Sequence, residues 1–391
     1  MPAPRRPSMV SYSASRRNSS VKEFAIGYNG SDGIHTTPAL ELMDVIPGYE
    51  NLSFEPESVP PPMESIKKEG KETSRKAVCT PCPEITEQQL RAALVLHVGK
   101  HCCYSQDAAK TLKMTSIQPS SAFHYQLETY TEQRENSWAF IPFSGNTDID
   151  TSDKGPAPLP WDIPVKSSGM FENEMKTIWV PHTSSVKYCF RCNSAGSSQC
   201  LECYGKGWVR CLYCNGDGFS SEYDFKDRCF HCRSSTHGFG RLDCLQCKAT
   251  GKLECPACDG AGFLLYYIRL IITWKTNKSE FIKKSVTLPE ELVKSVSGEE
   301  VFSEVGIEVL PIVEFPDATI ITASTQLLQE HCAKYSNQKI LMQRQHVRIV
   351  PITSIKYEWR RKTGQFFVCG KENKVYAPDY PQTCCWGCHI L

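Results

Sequence analysis

The chain has 391 residues, enough for two or three domains and a sizeable buried core. Its 44 basic and 43 acidic residues leave a formal charge of +1, which excludes a global field drawing it onto nucleic acid or acidic membranes. Cysteine is the outlier at 21 residues, and fits either a secreted disulfide scaffold or an intracellular metal protein.

The first twenty residues, MPAPRRPSMVSYSASRRNSS, are basic and Ser-rich and contain no apolar h-region, so no signal peptide is expected. No run of 18 apolar residues occurs, and FLLYYIRLIITW is too short to span a bilayer and contains Arg269. A soluble intracellular protein, cytoplasmic or nuclear, follows as the expectation. In a reducing compartment, paired cysteines serve metal more often than disulfides.

Residues 1–83 read as a disordered head, rich in Pro, Ser, Glu and Lys and broken by Pro60-Pro61-Pro62. Arg5-Arg6-Pro7-Ser8 and Arg16-Arg17-Asn18-Ser19 resemble basophilic kinase sites, with Ser8 and Ser19 as acceptors. An unmodified basic tail is the plainer reading. An α+β region is expected over residues 84–188. Thr86-Glu87-Gln88-Gln89 matches a capping box, and Leu90, Ala93, Leu94 and His97 follow at helical spacing. Phe123, Tyr125 and Leu127 alternate as in a strand, with Trp138–Phe143 as its hairpin partner. Residues 144–169 read as a loop and Ile178–Pro181 as a short strand.

Beyond the cysteine block, residues 263–380 read as a β-rich region. Phe263–Ile272 is strongly β-prone, and 273–282 either continues that strand or turns back on it. Pro289 is placed at the first position of a short helix. A second helix is expected over Ser324–Tyr335, and strands over His346–Trp359 and Gln365–Tyr376, joined by a turn at 360–364. The fold class is α+β, a β-rich domain with an inserted zinc hairpin.

Residues 189–262 hold six C-x-x-C pairs: Cys189/Cys192, Cys200/Cys203, Cys211/Cys214, Cys229/Cys232, Cys244/Cys247 and Cys255/Cys258. Two intervening residues let one tight turn aim both sulfurs at one ion, and two such turns complete a tetrahedral thiolate site. Twelve cysteines therefore allow about three structural Zn ions. In five of the six pairs a glycine stands four residues after the second cysteine, where a left-handed turn can bring amides near the sulfurs. The Cys229 pair departs from this pattern. First cysteines are separated by 11, 11, 18, 15 and 11 residues, nearly symmetric about a tip at 215–228. That symmetry suits nested pairing, first with sixth, second with fifth and third with fourth; sequential pairing is the rival.

The repeat C-x-x-C-x-G-x-G stands intact at Cys200–Gly207, Cys211–Gly218 and Cys255–Gly262, and resembles the central cysteine-rich domain of DnaJ-type chaperones. The resemblance implies nested motif pairing. It covers under a fifth of the chain. No His-Pro-Asp tripeptide occurs, so no stimulation of an Hsp70 through a J-domain is expected. The whole organisation resembles the SSU-two homologue proteins of animals, a family whose likeness implies architecture and no enzymatic activity.

Three function classes compete. A protein-binding module, adaptor- or chaperone-like, would use the aromatic residues around the glycines: Phe190, Tyr204, Trp208, Tyr213, Phe219, Phe230 and Phe263. Packing of those rings onto the small zinc core is the plainer alternative. Thiol–disulfide chemistry is the second class, with Cys79 and Cys82 as its best placed C-x-x-C, although no βαβ context surrounds them. A nuclear regulator contacting nucleic acid or transcription factors is the third. Residues 187–258 hold ten Lys/Arg and seven Asp/Glu, and twelve thiolates with three Zn²⁺ bring the loaded module near −3, which opposes phosphate binding. No hydrolytic motif is present, and closed thiolate sites leave His182 and His231 as bystanders. No catalytic residue is assigned. The tail, residues 381–391, ends in Cys388-His389-Ile390-Leu391, which fits a prenylation site at Cys388, with Cys384 and Cys385 as palmitate acceptors. Membrane association would follow only from such lipidation.

Overall fold

A computed structural model describes residues 37–62, 85–145, 148–219 and 227–382. Strands dominate: β1 (Glu57–Val59), β2 (Lys113–Pro142), β3 (Glu174–Trp179), β4 (Ser185–Tyr188), β5 (Ser197–Gln199), β6 (Trp208–Arg210), β7 (Arg241–Asp243), β8 (Lys252–Glu254), β9 (Phe263–Lys284), β10 (Glu299–Gly306), β11 (Lys339–Trp359), β12 (Lys362–Cys369) and β13 (Lys374–Tyr376). The α-helices are α1 (Glu87–Gly99), α2 (Gln106–Thr111), α3 (Glu290–Lys294) and α4 (Ala318–Lys334). Among the described residues, no helix is long and apolar enough to cross a membrane.

Two compact units divide the chain. Of the described residues, one comprises 37–46, 139–145, 148–154, 182–219 and 227–267; the other comprises 47–62, 85–138, 155–181 and 268–382. In the second unit the strand order β13-β12-β11-β2-β9-β3 is the spine, with β1 added on β2 and β10 on β11. Every pairing with an assigned register is antiparallel. Three apolar clusters cover it. Leu90, Leu94 and Val98 of α1 pack with Ile355 and Phe366; Val293 of α3 packs with Val350 and Ile352; Ile320 and Leu328 of α4 pack with Tyr125, Leu127 and Val347.

The Thr86 capping box forms as expected: the Thr86 hydroxyl accepts from the Gln89 amide, and the Gln89 side chain accepts from the Thr86 amide. Other elements differ from the sequence reading. β2 is one continuous strand of 30 residues, so Trp138–Phe143 extends Phe123–Leu127 and is no hairpin partner to it. The intervening polar run stays in the sheet because its charges are paired. Glu128 meets Lys278 and Arg344, and Arg134 meets Glu132. β9 continues to Lys284 without turning back. Pro289 is the N-cap of α3, one position before the first helical residue. α4 starts at Ala318, six residues before Ser324, because the Asp317 carboxylate accepts from the Thr319 amide and caps it. Gln365–Tyr376 is two strands separated by a turn at Gly370, whose φ is +74°. Residues 37–62, read as part of the disordered head, bury Ile46, Tyr49, Leu52 and Phe54, and supply β1. Ser8, Ser19, Cys79, Cys82, Cys384, Cys385 and Cys388 lie outside the described residues.

In the first unit, β4 pairs with the start of β9, Ser185 opposite Tyr266 and Tyr188 opposite Phe263. Residues 189–262 leave from the end of that ladder and return to it. The short antiparallel pairs β5–β8 and β6–β7 follow outward, then a Phe219–Arg228 bridge.

Candidate metal centres

The ladders alternate with cysteine turns, and antiparallel pairing brings each outgoing turn opposite a returning one. Three groups of four sulfurs result: proximal Cys189, Cys192, Cys255 and Cys258; middle Cys200, Cys203, Cys244 and Cys247; distal Cys211, Cys214, Cys229 and Cys232. Within each group all sulfurs lie within 4.8 Å of one another. The pairing is nested, and the sequential rival is set aside.

The spacing tests whether these groups fit an ion. A tetrahedral ion with metal–sulfur bonds of ~2.3 Å separates its ligand sulfurs by about 3.8 Å. Across the hairpin, Sγ–Sγ distances are 3.8 and 3.6 Å in the proximal group, 3.7 and 3.7 Å in the middle group, and 4.0 and 3.8 Å in the distal group. These match an ion-sized hole and are far longer than the ~2.05 Å of a disulfide. All three groups fit a metal ion.

The local backbone explains the spacing. In the middle group the Cys200 amide donates to the Gly251 carbonyl (3.0 Å), and the Cys244 amide to the Gly207 carbonyl (2.9 Å). The same reciprocal bonds join Cys189 to Gly262 and Cys255 to Gly196, then Cys211 to Gly240 and Cys229 to Gly218, all at 2.9 Å. The two halves of each site are thus related by a local twofold. The glycines also turn their amides onto sulfur: Gly207 donates to Cys203, Gly251 to Cys247 and Gly262 to Cys258, each at 3.2 Å, and Gly218 donates to Cys214 at 3.3 Å. The Cys229 pair lacks a glycine four residues on, and Gly240, eight residues after Cys232, replaces it with a 3.3 Å bond. Gly240 has φ +78°, and a Cβ there would run into the Gly216 carbonyl. The fixed-offset rule misses Gly240; its place opposite Gly218 in a nested hairpin is the signal that finds it.

The amides and thiols perturb one another. Burial opposes ionisation of Cys203 and Cys214, but the Gly207 and Gly218 amides and the neighbouring thiols outweigh it and bring both down to about 7. Burial, reinforced by the neighbouring thiols against the Gly240 and Gly262 amides, pushes Cys232 and Cys258 up to about 12. Clustered sulfurs therefore ionise unequally, since the first negative charge disfavours the next. A divalent ion removes that conflict.

His182 and His231 are outside the sulfur groups. His182 Nδ1 lies 2.9 Å from Asp150 Oδ1, and His231 stacks on Tyr213 with ring centroids 3.5 Å apart. The aromatic residues divide: Phe190 and Trp208 are half-buried, while Tyr204, Tyr213 and Phe230 are exposed. Aliphatic residues not singled out from the sequence join the exposed set. The first residue inside four of the turns, Leu201, Leu212, Phe230 or Leu245, is 70–89% exposed.

If the pairing holds, Cys200→Ser/Cys244→Ser removes ligands from one site only. Elemental analysis of the purified protein is expected to give one ion fewer than wild type; a loss of two would restore sequential pairing.

Fold and sites together define a protein built on a strand-dominated framework with three nested groups of four cysteines, each able to hold a metal ion. The chain belongs to the SSUH2 homolog family. It is 39% identical over 360 residues to the zebrafish (Danio rerio) protein SSUH2 homolog, covering 91% of this chain and 97% of that one. It is 38% identical over 359 residues to the human (Homo sapiens) protein SSUH2 homolog, covering 90% and 94%, and 34% identical over 311 residues to the mouse (Mus musculus) protein, covering 78% and 89%. No protein-family profile matches the chain, and no solved structure is significantly similar to it.

Proposed function

We propose that this protein is a non-enzymatic, zinc-stabilised binding protein, adaptor- or chaperone-like, whose cysteine hairpin takes an extended apolar segment of a protein partner. One observation carries the reading: Leu201, Leu212, Phe230 and Leu245 stand at the outer corners of the cysteine turns and are 70–89% exposed. Apolar side chains held on a rigid backbone, with so little core beneath them, suit contact with a partner. Four sulfurs per site and no histidine or carboxylate in the groups favour zinc in closed, structural sites. Nested pairing supports the DnaJ-type reading of the hairpin, which carries no J-domain here.

Binding of fluorescent apolar peptides, followed by anisotropy, tests the proposal. Leu212→Ser/Phe230→Ser is expected to weaken binding at least about tenfold, since each buried apolar side chain is worth roughly 1.5–3 kcal/mol, while metal content stays unchanged. Peptide affinity equal in wild type and variant would sink the reading.

A second reading rests on Trp208. The Arg241 guanidinium lies 4.2 Å from its ring centroid and the Lys206 ammonium 5.4 Å, and Arg241 stands directly opposite Arg210 across β6–β7. Cations around an aromatic ring suit a stacked base and its phosphate, as a nuclear regulator would need. Salt-dependent binding of single-stranded nucleic acid, lost in Trp208→Ala, would favour it.

A further inference from the structure

Residues 295–333 contain seven carboxylate side chains and no lysine or arginine. They include β10, an open segment over residues 307–316 and most of α4. The open segment is fastened at three points. The Val309 amide donates to Gln343 Oε1 at 3.1 Å, and the Leu310 carbonyl accepts from Gln345 Nε2 at 2.7 Å, both from β11. The Ile312 amide donates to Ser324 Oγ of α4 at 3.0 Å. Val309 and Ile312 are buried in the cluster around α4. With the backbone held and these two side chains inward, the apolar residues beside them face outward. Ile307 is 73% exposed, Leu310 48% and Val313 81%, and Val305 on β10 is 60% exposed.

Glu308 and Glu314 are exposed among these apolar side chains. Other charges nearby are already engaged. Glu304 accepts from Gln345, Asp317 caps α4, and Arg344, opposite Val305 across the β10–β11 ladder, is paired with Glu128. Among the described residues, no ion pair includes Glu308 or Glu314.

We propose that Val305, Ile307, Leu310 and Val313, with Glu308 and Glu314, form a docking surface for an extended basic segment of another protein, one in which lysine or arginine alternates with apolar residues. The partner's apolar side chains cover the outward-facing ones here, and its cations meet the two carboxylates. Because the backbone is already fastened, little ordering is left for binding to impose. The sign of the stretch selects a basic segment and repels an acidic one. The surface belongs to the second unit, so it stands independently of any binding by the cysteine hairpin.

The test uses the full metal-loaded chain and fluorescence anisotropy with two labelled peptides of equal length, one alternating lysine with leucine and one alternating glutamate with leucine. The lysine peptide is expected to bind at least about tenfold more tightly than the glutamate peptide, and less tightly as salt rises. Glu308→Lys/Glu314→Lys and Ile307→Ser/Val313→Ser should each weaken the lysine peptide at least about tenfold. All four positions are exposed, so thermal unfolding of both variants should match wild type. Leu212→Ser/Phe230→Ser should leave lysine-peptide binding unchanged. Equal affinity in wild type and Glu308→Lys/Glu314→Lys, or a loss confined to the hairpin variant, would overturn the proposal. So would self-association of wild type in sedimentation that Ile307→Ser/Val313→Ser abolishes, because the surface would then belong to a second copy of the chain.

Discussion

Stripping metal from the protein is expected to unfold residues 189–262 and leave the unfolding transition of the second unit in place. The reason is the content of the hairpin's interior. The middle and distal clusters consist of cysteines, with Val209, Leu253 and Leu242 half-buried against them. Without an ion, those sulfurs have no apolar core behind them. Structural zinc contributes roughly 10–16 kcal/mol of apparent binding free energy per site in small zinc-finger peptides, which is folding free energy there. The second unit keeps its own clusters around α1, α3 and α4. Hydrogen exchange with and without chelator reads both halves of the expectation; protection of 189–262 that survives chelation would refute it. Acid should act in the same direction. The loaded sites hold thiolates, whereas unfolded thiols take up protons below about pH 8.5. The unfolded state therefore binds more protons, and stability rises with pH and falls on acidification. At neutral pH, loading should release protons, because Cys232 and Cys258 are held up near 12 before the ion arrives.

Arg134→Ala is expected to destabilise the second unit by about 3–5 kcal/mol, the usual effect of leaving one partner of a buried ion pair alone. The Arg134 Nη2 lies 2.6 Å from Glu132 Oε1, and both side chains are buried. Its Nη1 donates to the carbonyls of Pro160 (2.5 Å) and Ile163 (2.9 Å), and its guanidinium lies 4.7 Å from the Trp161 ring centroid. One side chain thus satisfies a carboxylate and two carbonyls of a connecting segment. After the substitution the buried Glu132 carboxylate keeps the indole of Trp274, whose Nε1 donates to it at 3.2 Å, but loses its cation. Denaturant titration of wild type and variant measures the loss; Glu132→Gln combined with Arg134→Ala should recover part of it. A change below about 1 kcal/mol in Arg134→Ala would contradict the pairing.

Some of this is legible in the sequence because it is local. The Thr86 capping box spans four residues, and the ligand pairs announce themselves at a spacing of three. Nested pairing is half legible, since the near-symmetric separations suit a hairpin without excluding neighbours. What escapes depends on distant partners. Thr129, Glu132 and Arg134 look like turn residues between two strands, yet they lie inside a 30-residue one. Thr129 Oγ1 is 2.7 Å from His331 Nδ1 and accepts from Gln343 Nε2 at 3.1 Å, and Thr131 Oγ1 accepts from Asn277 at 3.0 Å. Those partners lie more than 140 residues away, so no window along the chain shows that the polar run is satisfied. The early start of α4 is hidden because Thr319, Ile320, Ile321 and Thr322 are β-branched, and packing of Ile320 on Tyr125 and Leu127 outweighs their weak preference. Gly240 is hidden because its partner is across the hairpin and not along it.

Nested pairing also imposes an order of assembly. The distal, middle and proximal sites join sulfurs 18, 44 and 66 residues apart. In an open chain, closing the longest loop costs about 1 kcal/mol more than closing the shortest. Once the distal ion is seated, however, the middle turns are already near each other, and then the proximal ones. The hairpin therefore zips from its tip toward its base, and an ion lost at the tip leaves every remaining closure spanning a longer stretch of loose chain.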